Sequence, residues 1–356
     1  MNLSQWLLES KRNEQQEISL HLFEKCNMSC VFCWQDHDSM VGLNAIPNKG
    51  ELVNQFVTKS AHTHFSVNLM GGELFDPDIY NDALRQQYVD LCRTMHSHAA
   101  SLGKRLFINV VSNLVVPFPE QISGLIDQLR SEGVNIGLTT SYDSKGRFNR
   151  NQFEVFKHNV EVLRTYIDGI GIVLTKPSIK QMIAAEDPYL IYLYNSGFPL
   201  YFDFYQPGED HLTMTPSDKD LLKAFYYLID HFPKSNPIRQ WIENHENKTS
   251  CRSTHVIHPD GRVGSCGTFV TAPTSSIVTF FKSPVSNTSN RDMEDSMLTK
   301  WNCVECEYFK RCTLGCFLLH DFMKRSNMKE CPFKLSFDKI TKGVEIDVDQ
   351  VEQAFP

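Results

Sequence analysis

The segment Cys26-Asn27-Met28-Ser29-Cys30-Val31-Phe32-Cys33 places three cysteines within eight residues, and the next cysteine along the chain is Cys92. Seven more cluster toward the other end, at Cys251, Cys266, Cys303, Cys306, Cys312, Cys316 and Cys331. Three thiolates in one tight loop can hold three irons of a [4Fe–4S] cube and leave the fourth iron open. The same loop completed by His37 or Asp36 would make a tetrahedral zinc site, so spacing alone leaves both readings standing. Cys92 sits in Ala83-Leu84-Arg85-Gln86-Gln87-Tyr88-Val89-Asp90-Leu91-Cys92, a helical stretch in which a lone thiol serves as a small core hydrophobe.

Working outward from the loop, strand-like and helix-like segments alternate from about residue 18 to about residue 230. The pattern predicts strands at Ile18–Glu24, His64–Met70, Leu106–Val111, Asn135–Thr140, Gly169–Thr175 and Pro199–Tyr205. It predicts crossover helices at Asp82–Ala99, Gln121–Ser131, Phe153–Tyr166 and Ile179–Asn195,. Such alternation makes an α/β fold with a parallel sheet wrapped by helices and with functional groups at the C-terminal strand ends. From Ser235 to Phe333 the composition turns to Pro, Ser, Thr, Asn and Cys. Little there promises an apolar core, so metal ligation is expected to order the segment.

Bulk properties narrow the function. The 356 residues have room for one large domain and a smaller one,. A net charge of -7 offers no basic field to recruit nucleic acid,. The opening residues lack a cationic start followed by an apolar run, and no stretch approaches the roughly 20 apolar residues of a membrane helix,. A cytoplasmic location without membrane or nucleic-acid partners is expected. Reduced thiols gathered in such a compartment are metal ligands before they are disulfides.

With its CxxxC, an aromatic Phe32 and then Cys33, the loop resembles that of the radical S-adenosylmethionine enzymes, and Gly71-Gly72-Glu73 at the end of the second strand is a further match. The C-terminal cysteines, with Gly261 between Cys251 and Cys266, are similar to the SPASM extension found in many of these enzymes that act on peptides and proteins. The resemblance implies a partial (β/α)6 TIM-like barrel over residues 1–232 and a small cysteine-rich iron–sulfur domain over residues 233–356. It implies a catalytic [4Fe–4S] cluster on Cys26, Cys30 and Cys33, with S-adenosylmethionine on the open iron. Cofactor contacts would fall to Phe32, Gly71, Gly72, Glu73, Ser112, Asn113, Ser141 and Asp143. Two auxiliary [4Fe–4S] clusters would be held by Cys251, Cys266 and Cys316, and by Cys303, Cys306, Cys312 and Cys331.

Two departures from that pattern stand out. The seven are one cysteine short of closing two cubes, and His245, six residues before Cys251, is the nearest nitrogen ligand available; solvated, it would leave an iron exposed. Sulfatase-maturing members place an aspartate after the cysteine that is here Cys266, whereas this chain has Gly267, which disfavours that reaction. The resemblance points to net oxidation of a peptide or protein side chain, such as a crosslink, with an external electron donor such as flavodoxin or ferredoxin. Met1–Ser19 is too short for a leader-binding module, so a separate recognition protein or the core itself would present the peptide. Asp203, Tyr205, Gln206 and His211 at the sixth strand's end are candidate substrate contacts. A small-molecule radical dehydrogenase and a non-catalytic electron carrier are the alternatives, the carrier having no use for an open iron.

Overall fold

Alternating burial along the strands sets the architecture. In a computed structural model describing residues 15–33, 35–184, 187–205, 213–245, 254–264, 298, 302–312 and 330–348, the strands are β1 (Gln15–His21), β2 (His64–Met70), β3 (Arg105–Val111), β4 (Ile136–Ser141), β5 (Ile167–Leu174) and β6 (Leu200–Phe204). They pair in parallel, each with the next. Every second residue of β2 and β3 is buried: Phe65, Val67 and Leu69, then Leu106, Ile108 and Val110. These face the crossover helices. The intervening residues are only half-buried and largely polar, unlike those of a parallel sheet covered on both faces. The sheet is a curled, open half-barrel, and its second face lines a hollow.

The helices are α1 (Ile46–Lys59), α2 (Asp82–Ser101), α3 (Glu120–Ser131), α4 (Arg150–Val162), α5 (Lys176–Ile183), α6 (Pro188–Asn195) and α7 (Asp218–His231). Their starts are written locally. Asn81 caps α2 by accepting from Leu84 N, and Asn149 with Gln152 forms a reciprocal capping box on α4. Thr175 with Ser178, and Ser217 with Asp220, do the same for α5 and α7,. The single helix expected over Ile179–Asn195 is two. Pro188 has no N–H to continue a helix, and Asp187 caps the new one by accepting from Leu190 N at 3.0 Å,. Cys92 lies fully buried in α2, where burial pushes its thiol up to about 12.

Beyond residue 233 the chain does build packed structure, against the expectation of little apolar core. β7 (Thr254–Ile257) pairs in parallel with β1, and β8 (Val263–Gly264) turns back antiparallel on β7, giving the order β6-β5-β4-β3-β2-β1-β7-β8. Helices α8 (Ile238–Ile242) and α9 (Pro332–Lys342) meet α7 through aromatic rings. Trp241 lies 5.2 Å from Phe225 and 5.0 Å from Phe337, and Phe337 stacks on Tyr308 at 5.0 Å. A few large rings supply the area that a polar composition conceals. Tyr308 then donates to Asp338 Oδ1 at 2.8 Å, and Arg311 to the Trp241 carbonyl at 2.6 Å. Among the described residues no helix is long and apolar enough to cross a membrane.

Phe337 is fully buried in that cluster. Phe337→Ala is expected to cost about 3–5 kcal/mol, seen as a lower urea midpoint with an unchanged slope. An unchanged midpoint would mean that α9 does not add its packing to the barrel.

Candidate functional site

The loop after β1 is held at the C-terminal end of the sheet by backbone bonds from three directions. Leu22 N donates to Met70 O at 2.7 Å, Gly72 N to Phe23 O at 2.9 Å and Glu73 N to Lys25 O at 3.0 Å. Cys26 N reaches His37 O at 3.0 Å, and Val31 N reaches Gly146 O at 2.8 Å. Such close docking leaves no room at position 72, where a Cβ would lie 2.0 Å from Lys25 O and 2.2 Å from Glu24 O. At Gly71 the same atom would be 3.0 Å from Phe23 O. The two glycines thus let the end of β2 press against the chain that leads into Cys26.

Glu73 is fully buried and braces this end of the barrel. Its Oε1 accepts from Phe75 N at 3.0 Å and from Ser112 Oγ at 2.9 Å; its Oε2 accepts from Asn113 N at 2.6 Å. Burial nevertheless raises its carboxyl to about 7, against the lowering effect of those donors,. The anchored Asn113 donates to Asn27 Oδ1 at 2.8 Å and comes within 3.7 Å of Cys26 Sγ. Leu114 takes a left-handed conformation, φ 57°, and Asn159 holds the turn by donating to Leu114 O and Val116 O.

On the opposite side the turn after β4 docks through an ion pair. The buried Asp143 accepts from Arg147 Nε at 2.8 Å and from Val173 N at 2.8 Å, and Arg147 Nη2 lies 2.7 Å from it. The guanidinium in turn sits 5.2 Å over the Phe32 ring,. Cys26, Cys30 and Cys33 are partly buried between these supports. Burial pushes the Cys26 thiol up to about 12 and raises that of Cys30 despite Arg147. Neither would ionise near neutrality unaided; a coordinated metal supplies the positive charge that deprotonates such a thiol. Among the described residues no three His, Cys, Asp or Glu side chains converge as ligands of one ion. A four-iron cube asks instead for thiolates spread over separate irons.

Of the other expected site residues, Ser141 ends β4 on the hollow side, 3.7 Å from where a Cβ on Gly171 would stand. Asp203 lies on the same face of β6, and Tyr205 is buried beyond it. Cys303, Cys306, Cys312 and Cys331 are partly buried beside the aromatic cluster. The Cys331 sulfur also receives the Phe333 and Lys334 amides at the start of α9, which lower its thiol, but burial outweighs them and raises it,. His245 is mostly exposed and 3.5 Å from Glu243. Cys251, Cys266, Gly267, Cys316, Gln206 and His211 lie outside the described residues. Sequence reasoning missed Asn27 and Asn159, whose partners are distant in sequence, and Arg147, whose pairing with Asp143 four residues earlier is local but whose place over Phe32 is not.

Two expectations test this frame. Gly72→Ala should lower stability by about 2–3 kcal/mol, whereas Gly124→Ala, with open space around it in α3, should raise it by about 0.5–1 kcal/mol; equal thermal midpoints for the two variants would refute the close approach. A folded carboxyl raised to about 7 contributes stability that is complete below pH 4.5 and lost as pH climbs through 7,. Glu73→Gln should therefore flatten the pH dependence of stability between pH 4.5 and 7 by roughly 3 kcal/mol, at 1.36 kcal/mol per pH unit. Identical slopes in both proteins would overturn that account.

No protein-family model and no curated protein matches the sequence. Solved structures match in three dimensions. One of anSMEcpe with bound AdoMet aligns with a TM-score of 0.62 at 14% identity, covering 92% of this chain and 97% of the other. Another, with bound AdoMet and the Cp18Cys peptide, aligns with a TM-score of 0.60 at 15% identity, covering 96% and 99%. anSMEcpe is a radical S-adenosylmethionine enzyme with a SPASM domain. This chain has the partial-barrel fold of those enzymes, with a bracing carboxylate and three cysteines at the C-terminal end of its sheet.

Proposed function

We propose that this chain is a radical S-adenosylmethionine enzyme that oxidatively modifies a peptide or protein side chain. The observation that carries the reading is one loop presenting Cys26, Cys30 and Cys33 at the mouth of a polar-lined half-barrel, held there from three sides. Cys26, Cys30 and Cys33 would hold a [4Fe–4S] cluster with one iron free of thiolate, which together with bound S-adenosylmethionine would supply the one-electron, radical-generating chemistry. A fold shared with a protein solved both with AdoMet and with a peptide supports the same choice of cofactor and substrate.

The chain's own residues do the positioning. Glu73 fixes Ser112 and Asn113, and Asn113 sets its amide beside Cys26 Sγ, where a donor to sulfur tunes a cluster. Asp143 orients Arg147, which closes over Phe32 and sheds positive charge on Cys30 and Cys33. Gly71 and Gly72 keep the β2 end flush with the loop, and Ser141 faces the hollow where substrate would enter. Cys303, Cys306, Cys312 and Cys331 would carry one auxiliary [4Fe–4S] cluster. Cys251, Cys266 and Cys316 would carry the other, accepting the second electron of a net oxidation. An external flavodoxin or ferredoxin would reduce the catalytic cluster, and a separate recognition protein would present the peptide.

Anaerobic incubation of the iron-loaded protein with dithionite and S-adenosylmethionine should yield 5′-deoxyadenosine. Cys30→Ala should abolish it, and replacing Cys26, Cys30 and Cys33 together should remove about a third of the bound iron. Equal 5′-deoxyadenosine from wild type and Cys30→Ala would sink the proposal.

A further inference from the structure

The hollow of the half-barrel holds more hydrogen-bond acceptors than the chain's own donors satisfy. Its floor is a belt running across four strands. Asn68 Nδ2 donates to Glu17 Oε1 at 2.7 Å; Asn109 Nδ2 donates to Asn68 Oδ1 at 3.0 Å and to Thr139 Oγ1 at 2.9 Å. Both hydrogens of the Asn109 amide are then used, and its enclosed Oδ1 is left without a partner. Glu17 has no hydrogen bond among the described residues other than the one from Asn68.

Facing this belt from the far edge of the barrel is Asp203. It makes no hydrogen bond or ion pair among the described residues, and β5 is pared back to admit it. A Cβ on Gly171 would lie 3.1 Å from Asp203 Oδ2, and one on Gly169 would lie 2.5 Å from the Tyr201 ring. Asp203 is open to a water molecule yet set deep among protein atoms, as a group facing a hollow rather than bulk solvent would be. Burial raises its carboxyl to about 7, and Asp143 and Glu17 raise it further in the same direction. Glu17 on β1 and Asp203 on β6 thus present carboxylates to the same inner face of the curled sheet. Of the basic residues on this face of β1 to β6, His64 and Arg105 stand at the strands' N-terminal rim, and His21, at the C-terminal end of β1, is lowered to about 3 by burial and so brings no positive charge.

Asp203 with no hydrogen bond, Glu17 with one and Asn109 Oδ1 with none leave this face of the described strands short of donors, and an occupant that both donates and carries positive charge supplies them,. An anionic or apolar occupant would seal them off unpaired. We infer that the substrate side chain entering this hollow bears an ammonium or guanidinium head, held between Glu17 and Asp203, so that the peptide delivers a lysine or arginine there. This inference rests on the reading of the chain as a peptide-modifying radical enzyme.

The test uses the full-length, iron-loaded protein and nonapeptide pools with randomised flanks and one fixed central residue: Lys, Arg, norleucine, Gln or Glu. The readout is 5′-deoxyadenosine formed above the peptide-free rate. Lys or Arg pools should stimulate at least 10-fold more than norleucine, and Glu17→Gln or Asp203→Asn should cut that ratio about 10-fold or more, the loss expected for a charge-assisted bond. Because each protein's ratio is internal, a change in folding or cluster loading alone does not move it. Equal use of all pools, preference for Glu or norleucine, no stimulation by the Lys and Arg pools, or an undiminished ratio in both variants overturns the inference while leaving the radical chemistry standing. No 5′-deoxyadenosine from wild type with or without peptide overturns the radical-enzyme reading as well.

Discussion

Everything at the mouth of the barrel depends on a buried carboxylate. Glu73 takes three hydrogen bonds from the β2 and β3 turns and thereby decides where Asn113, and through it Cys26, can stand. A carboxylate in that position is electrostatically expensive, as its raised pKa shows. It is tolerable because each oxygen meets backbone or hydroxyl donors that would otherwise lack partners. Gly72 completes the arrangement by removing the one side-chain atom that would hold β2 off the cysteine loop.

The second constraint is the division of labour between the two faces of the sheet. The outer face buries aliphatic residues against helices, as crossover topology demands,. The inner face departs from that rule, carrying Glu17, Asn68, Asn109, Thr139, Ser141 and Asp203. A closed barrel would fill this space with branched apolar side chains. An open one with a polar lining has been left room for an occupant, and its lining is biased toward accepting hydrogen bonds.

Legibility followed the range of the interactions. The six strands and most of the crossover helices could be read because periodicity acts within a few residues; the capping boxes of Asn149 with Gln152 and Ser217 with Asp220 are equally local, yet the expected helices begin late at Phe153 and omit α1 and α7. Pro188 was a local signal too, and it should have split the helix predicted over Ile179–Asn195. The aromatic packing of Trp241, Tyr308, Phe333 and Phe337 escaped notice because four rings spread over about a hundred residues barely alter composition. Glu17 escaped because a lone carboxylate in a strand reads as solvated until its neighbours are known.

The sequence by itself determined which chemistry is on offer, since three cysteines in one loop and seven more near the other end state a ligand inventory whatever the fold. It determined the alternating α/β pattern as well, because hydrophobic period is a property of neighbours. Only the tertiary structure decided that Arg147 covers Phe32, that Asn113 stands beside Cys26, and that Asp203 and Glu17 both lie on the inner face of the curled sheet. Those are relations between separate strands and the turns that follow them. They follow from how far the sheet curls and in what register its strands pair, which no single segment specifies.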